Sequence, residues 1–177
     1  MAKSVWNVDA SHSALEFKVK HMMMANVRGQ FHDFQANITA DPEDLTTAEI
    51  DFTVNVNSID TKDEQREGHL KSADFFDVEN YPNLTFKATK IERKSNNEYA
   101  MTGDMTIRGV TKPVTFNVTS EGIGKDPWGN ERAGFTAAGS LNRKEFGLNW
   151  NALLETGGVL VGEQVKINVE IEAVRQA

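Results

Sequence analysis

From Leu15 onward the chain alternates apolar and polar side chains, with Leu15, Phe17 and Val19 on one side and Glu16, Lys18 and Lys20 on the other. A repeat of two is the spacing of a strand with one covered face, because successive side chains leave opposite sides of the pleat. AEIDFTVNVNS repeats it: Ala48, Ile50, Phe52, Val54 and Val56 are set against Glu49, Asp51, Thr53, Asn55 and Asn57. The same reading yields inward sets Leu84, Phe86, Ala88, then Tyr99, Met101, Gly103, Met105, Ile107, then Val114, Phe116, Val118. The last strand opposes Val165, Ile167, Val169, Ile171 and Ala173 to Lys166, Asn168, Glu170 and Glu172. Less regular segments add Trp6 and Val8, then Phe34, Ala36 and Ile38, then Ala133, Phe135, Ala137, Gly139 and Leu141. Eight or nine strands result. Asp41-Pro42, Ser95-Asn96-Asn97, Arg108-Gly109 and the GIGKDPWGN stretch supply turn chemistry between them. Connections this short favour antiparallel pairing of sequential strands.

One segment departs from this period. In SIDTKDEQREGHLKSADFFD, Thr61 and Glu64 match a capping box, which predicts a helix over Lys62 to Ser72. Glu67 and Lys71 lie four apart and can pair along one face, and Phe75 and Phe76 then turn back toward the sheet. A second short helical piece is expected around NALLETGG, ended by Gly157 and Gly158.

An antiparallel sheet of eight strands leaves edges exposed unless it closes into a barrel or doubles into a sandwich. Strands of about ten residues span roughly 30 Å, longer than a typical strand, and favour a deep barrel. The expected fold is therefore all-β, an extended antiparallel barrel with one short helix, in a single domain over residues 1–177. Eight strands enclose an interior that side chains just fill or that holds one small ligand. The inward alanines and glycines either leave room there or taper against large neighbours, and pattern alone does not choose. The inward positions carry almost no charge, so a cavity would be dry and would suit a long apolar chain. Methionines at 22–24, 101 and 105 could adapt to such a ligand or fill core gaps.

Charge and composition narrow the partners. A net charge of −7 and a pI near 5.1 argue against phosphate backbones and anionic lipid surfaces at long range. The absence of cysteine excludes disulfides, iron–sulfur clusters and thiol catalysis. No apolar run approaches a membrane span, and the N-terminal stretch MAKSVWNVDASHS does not read as a secretory signal, so a cytoplasmic location is expected.

The motifs of cofactor and nucleophile chemistry are missing: there is no G-x-S-x-G, H-E-x-x-H, Walker loop or dinucleotide fingerprint. No cofactor and no metal is expected. Asp9, Ser11 and His12 contain the letters of a triad, but such close neighbours diverge in a strand and are expected to satisfy turn amides or each other. His12 and His21 differ by an odd number, which places them on opposite faces of one strand and away from a shared ion. His21 reads as a hydrogen-bonded histidine near the end of a buried face. Arg66, His69 and Arg143 form a more suggestive polar set, with Arg66 and His69 three apart on the predicted helix and able to face the barrel mouth. A solvated helix face explains the same spacing.

WNVDASHSALEFKVKH, SIDTKDEQREGHLKSADFFDVENYPNLTF, GDMTIRGVTKPVTFNV, NRKEFGLNWN and LETGGVLVG, in this order, closely resemble the YceI-like family of bacterial proteins. The resemblance covers nearly the whole chain. It implies a lipocalin-like barrel around a long apolar molecule, a polyisoprenoid or fatty-acid derivative, and brings no established catalytic residues. Family members with a leader are periplasmic or secreted, and a homodimer is a reasonable assembly. The expected function is non-enzymatic binding, transport or storage of such a lipid. The expected ligand-binding residues are Phe17, Val19, His21, Phe34, Ile38, Phe52, Val54, Phe86, Met101, Met105, Phe116 and Phe135. Two other functions compete: an enzyme acting on the lipid through His21 or the Arg66 and His69 pair, and an interaction scaffold whose barrel is filled.

Overall fold

A computed structural model describes residues 2–152 and 160–176. Its strands are β1 (Ser4–Val8), β2 (Ala14–His21), β3 (Ala25–Phe31), β4 (Phe34–Asp41), β5 (Asp44–Asn55), β6 (Ile59–Asp60), β7 (Asn83–Arg93), β8 (Glu98–Ile107), β9 (Val110–Lys125), β10 (Glu131–Asn142) and β11 (Val161–Arg175). One helix, α1 (Glu64–Lys71), lies between β6 and β7. All pairings are antiparallel. Eight strands form a closed ring in the order β1-β4-β5-β7-β8-β9-β10-β11, sealed where Trp6, Asn7 and Val8 of β1 meet Arg175, Val174 and Ala173 of β11. Closure satisfies the backbone groups that an open sheet would expose along its edges.

β11 carries two partners along the same edge. Val161–Glu170 pair with β2, and Ala173–Arg175 pair with β1. β2, β3 and β6 thereby extend the sheet beyond the ring at its upper end. β3 and β6 were not legible as strands. Val27 and Phe31 keep the period of two, but Gly29 between them interrupts the apolar signal. The glycine has a reason: a Cβ there would land on the Phe17 ring. β9 also absorbs the GIGK stretch, leaving a shorter turn before β10 than the Gly/Pro composition suggested.

The helix begins later than the capping box implied. Asp63 is the N-cap, accepting from the Arg66 amide at 3.1 Å. Glu67 reaches back to accept from the amides of Thr61 at 2.9 Å and Asp63 at 3.0 Å, so its carboxylate is committed there rather than to Lys71. Those amides, Thr61 first, hold Glu67 below the usual carboxylate range. Leu70 and Phe76 then pack against Phe31, Val54, Val56 and Ile59. A 3₁₀ turn at Arg143–Phe146, closed by Gly147 at φ 79°, was not foreseen. The helical piece expected at NALLETGG falls mostly outside the described residues.

The lower end of the ring is solid. Trp6 is 1 % exposed and donates its indole N–H to the Ala40 carbonyl at 3.1 Å. Tyr99, Ala133 and Ala173 are buried beside it and form a floor.

A charge clasp stands where β11 changes partner. Asp9 caps the 3₁₀ turn Ala10–His12, accepting from the Ser11 amide and hydroxyl and contacting His12 Nδ1 at 2.9 Å. Arg132 donates to Asp9 at 2.8 Å, Asp126 at 2.8 Å and Glu172 at 3.0 Å. Asp9, His12 and Glu172 offer three ligand atoms within 4.8 Å, but the Arg132 guanidinium already occupies their carboxylates. The letters of a triad thus serve a turn and an ion network, as the spacing indicated. Arg132 holds Asp126 down at about 2, and the Ser11 hydroxyl and then Arg132 hold Asp9 well below the ordinary aspartate value. The Asp9 carboxylate raises His12 above 6.5. A depressed carboxylate stabilises the fold above its unfolded value and stops doing so as pH falls through the native one. For Asp126 that window runs from 3.8 down to about 2. A raised histidine stabilises below 6.5 and ceases to as pH rises through its native value. Thermal stability is therefore expected to peak between these limits, and calorimetry across pH should show His12→Ala flattening the alkaline limb, with a smaller loss on the acid limb where His12 helps to depress Asp9.

Candidate functional site

Above the floor the barrel is hollow. A cavity of about 510 Å³ runs from Leu45, Val118 and Ile171 upward to Lys20, Gln65 and Arg66, within the range of ordinary ligand sites. Alternation explains its wall. Val165, Ile167 and Val169 point inward from β11 yet are only partly buried, whereas Ile171 and Ala173 further down are fully buried. The upper residues face empty space instead of one another.

Phe17, Val19 and His21 of β2 line the cavity, as do Ile38 of β4 and Phe52 and Val54 of β5. Phe86, Met101, Met105, Phe116 and Phe135 line it from β7 to β10. Phe34 does not. It shares the inward face of β4 with Ile38 but packs against both apolar clusters and lies beside Phe52, ring centroids 6.4 Å apart. His21 faces the cavity with no hydrogen-bond partner for its ring among the described residues, contrary to the satisfied histidine expected there. His12 lies with the clasp, so the two histidines are apart.

The small inward residues chiefly taper the wall. A Cβ on Gly103 would sit 2.5 Å from the Phe86 ring, and one on Gly139 would sit 2.7 Å from that of Phe116. The two phenylalanines meet edge to face, centroids 5.2 Å apart, and present their exposed sides to the cavity. Glycine here lets a ring lie flat against the sheet. Ala137 is the alanine that lines the space.

Among the described residues, charge is confined to the mouth. Lys20, Asp63, Arg66, His69 and Arg143 border the cavity there. His69 contacts Asp74 at 2.9 Å through Nε2, and its ring meets Trp150 and Phe75 edge on at 4.6 and 5.1 Å. Arg66 donates to the Thr61 carbonyl at 3.2 Å. The predicted pair therefore does share the mouth, though each member already has a partner.

Arg143 is 3 % exposed and holds the rim together. Its guanidinium donates to the carbonyls of Gly162 at 2.7 Å, Trp150 at 2.9 Å, Val161 at 3.2 Å and also Leu148. Burial pushes its pKa down, and Glu163 partly offsets this. Arg108 makes a second tie, donating to Phe75 and Gly147 carbonyls at 3.1 and 3.3 Å. Leu148, Trp150 and Leu160 also reach the cavity from irregular segments, which carry no periodicity by which sequence could have found them.

The comparisons agree with this architecture. A model of the YceI-like domain matches residues 6–173. A UPF0312 protein of Staphylococcus aureus strain N315 is 40 % identical over 165 residues, 93 % of this chain and 94 % of that protein. A UPF0312 protein of Staphylococcus epidermidis strain ATCC 12228 is 40 % identical over 168 residues, 94 % of this chain and 95 % of its own length. Among solved structures, BcnA of Burkholderia cenocepacia superposes with TM-score 0.82 at 26 % identity, over 94 % of this chain and 99 % of that one. The YCEI protein of Campylobacter jejuni gives 0.74 at 30 % identity over 89 % and 90 %. A polyisoprenoid binding domain from Saccharophagus degradans shares the fold, TM-score 0.70 at 13 % identity over 98 % and 99 %. From floor to mouth, then, this chain belongs to the YceI-like family.

Proposed function

We propose that the protein binds and carries a long apolar lipid, a polyisoprenoid or fatty-acid derivative, in the barrel cavity without transforming it. The observation that supports this most is a cavity of about 510 Å³ with a largely apolar wall and, among the described residues, ionisable groups only at its mouth. Each methylene moved from water into such a space contributes about 0.8 kcal/mol before ordering costs. Below the mouth Thr136 is the polar residue among the described lining, and its hydroxyl already donates to Glu121. Phe17, Val19, Ile38, Phe52, Val54, Phe86, Met101, Met105, Phe116 and Phe135 would contact the chain, with His21 nearer its end. The polyisoprenoid-binding neighbour is consistent with that ligand class.

Organic extraction of the purified protein followed by mass spectrometry is expected to recover a long-chain lipid, and stripped protein should take up added polyprenol. No lipid and no uptake would overturn carriage. A reaction would need a group to perform it, and the candidates are His21 and the carboxylate-paired His69. Time-dependent product from the wild type, lost in His21→Ala or His69→Ala, would replace carriage with catalysis.

A further inference from the structure

We propose that the β2–β3 hairpin docks the cavity mouth onto an anionic lipid bilayer. The hairpin tip is Met22, Met23 and Met24, exposed to 36, 66 and 77 %. Its turn is closed by the Met24 amide donating to the His21 carbonyl at 3.1 Å, with Met22 and Met23 at φ 52° and 58°. Asparagine and glycine suit such positions best. Turn geometry therefore does not account for a run of thioethers here, and among the described residues no element of the chain covers them. A flexible apolar tip of this kind can enter the acyl boundary of a membrane.

The tip stands at the opening. The Met22 amide donates to the Leu160 carbonyl at 2.7 Å, and Lys20, His21, Leu160 and Val161 all line the cavity. On the outer face of the same sheet, Arg28 of β3, Lys18 of β2 and Lys166 of β11 lie side by side in register, and Lys20, at the rim of the cavity, follows two residues nearer the tip. None of these four cations has a carboxylate partner among the described residues. Glu16, two residues from Lys18 on the same face, accepts from the neutral Gln30 amide and keeps its charge, so the cations outnumber it, and Glu163 pairs with Lys144 at 3.0 Å. Apolar tip and unneutralised cations together match the layered chemistry of an anionic bilayer, acyl chains beneath phosphate.

The overall charge of −7 does not oppose this. Charges more than about 8 Å away are largely screened at physiological ionic strength, so the membrane senses the face turned toward it. The ions around Arg132 lie beside Val174, at the opposite end of β11 from the hairpin. Each basic residue near an anionic surface strengthens partitioning roughly five-fold, which makes this face decisive. Net charge argues against anionic surfaces at long range, and docking through this face would reverse that locally. The purpose of docking rests on the carrier reading, since it would bring the mouth to a lipid source; the docking itself does not.

Co-sedimentation with phosphatidylglycerol/phosphatidylcholine vesicles, against phosphatidylcholine alone, tests it. Binding to the anionic vesicles only is expected, weakening as salt is raised. Met23→Ser with Met24→Ser should reduce it at least tenfold. Lys18→Gln with Arg28→Gln and Lys166→Gln should remove its salt dependence. Trp128→Ser, a 78 % exposed aromatic in the turn at the far end, should change nothing. No binding to anionic vesicles, or equal loss with Trp128→Ser, would overturn docking. So would a dimer in sedimentation velocity that dissolves in the methionine variant while vesicles stay unbound, because the occupant would then be a second copy. Polyprenol delivered in ethanol separates the two proposals. Vesicle binding without uptake by either route leaves docking standing and sinks carriage, and uptake from ethanol without vesicle binding does the reverse.

Discussion

Arg143→Ala is expected to destabilise the protein by about 3 to 5 kcal/mol, because four carbonyls lose a charged donor in a place water does not reach freely. Calorimetry should show a fall in melting temperature of roughly 10 °C for a domain of this size. Arg143→Lys should recover little of it, since an ammonium on a flexible stem cannot serve carbonyls spread from Leu148 to Gly162. The rim would loosen as well. Carbonyls that were held toward one centre would turn outward, and a bound lipid should leave faster from the variant than from the wild type. A loss below about 1 kcal/mol would mean that the freed carbonyls find water, and the rim would then not depend on this side chain.

Phe135→Asp is expected to empty the cavity. Phe135 sits opposite Ile171 on β11 and faces the apolar space, and among the described residues charged groups border the cavity only at the mouth. An ionised carboxylate there has no partner, and a hydrocarbon chain laid against it would strip its water at a cost of several kcal/mol. Loading of polyprenol should fall at least about 100-fold, equivalent to roughly 3 kcal/mol. Burial raises the pKa of such an acid, so loading should recover in part as pH falls and the neutral form takes over. Phe135→Leu is the control, because it trims area without adding charge and should keep most of the affinity. Equal loading by the aspartate variant would move the ligand away from this wall.

Much of that wall could be read from alternation. β11 shows why: Val165 to Ala173 repeat with a strict period of two, and each of them does point inward. Period tells which face a residue occupies, but not its height along the barrel or whether an opposing side chain fills the space. Phe34 is expected at the ligand on face alone, and it lies on that face but packs against Phe52 and is not among the residues lining the cavity. Tyr99 and Met101 look alike in the pattern, yet one belongs to the floor and the other to the cavity. Arg143 was visible as a candidate but its role was not, because its partners are backbone carbonyls and leave no mark in a sequence. The helix start moved from Thr61 to Asp63 because Glu67, a residue the capping pattern did not include, took the amides.

The joint between β1 and β11 has a consequence for how the molecule comes into being. Its two staves come from opposite ends of the chain, so a growing polypeptide can pair β4 with β5 and β7 through β10 in turn and still lack the piece that completes the circle. During synthesis the nascent sheet is an open arc with a bare margin, the form most prone to recruit strands from other chains. Only when β11 emerges does one segment cap β10, β1 and β2 together. Closure is therefore expected to come late, and ribosomes stalled before β11 should yield arcs that aggregate or engage chaperones.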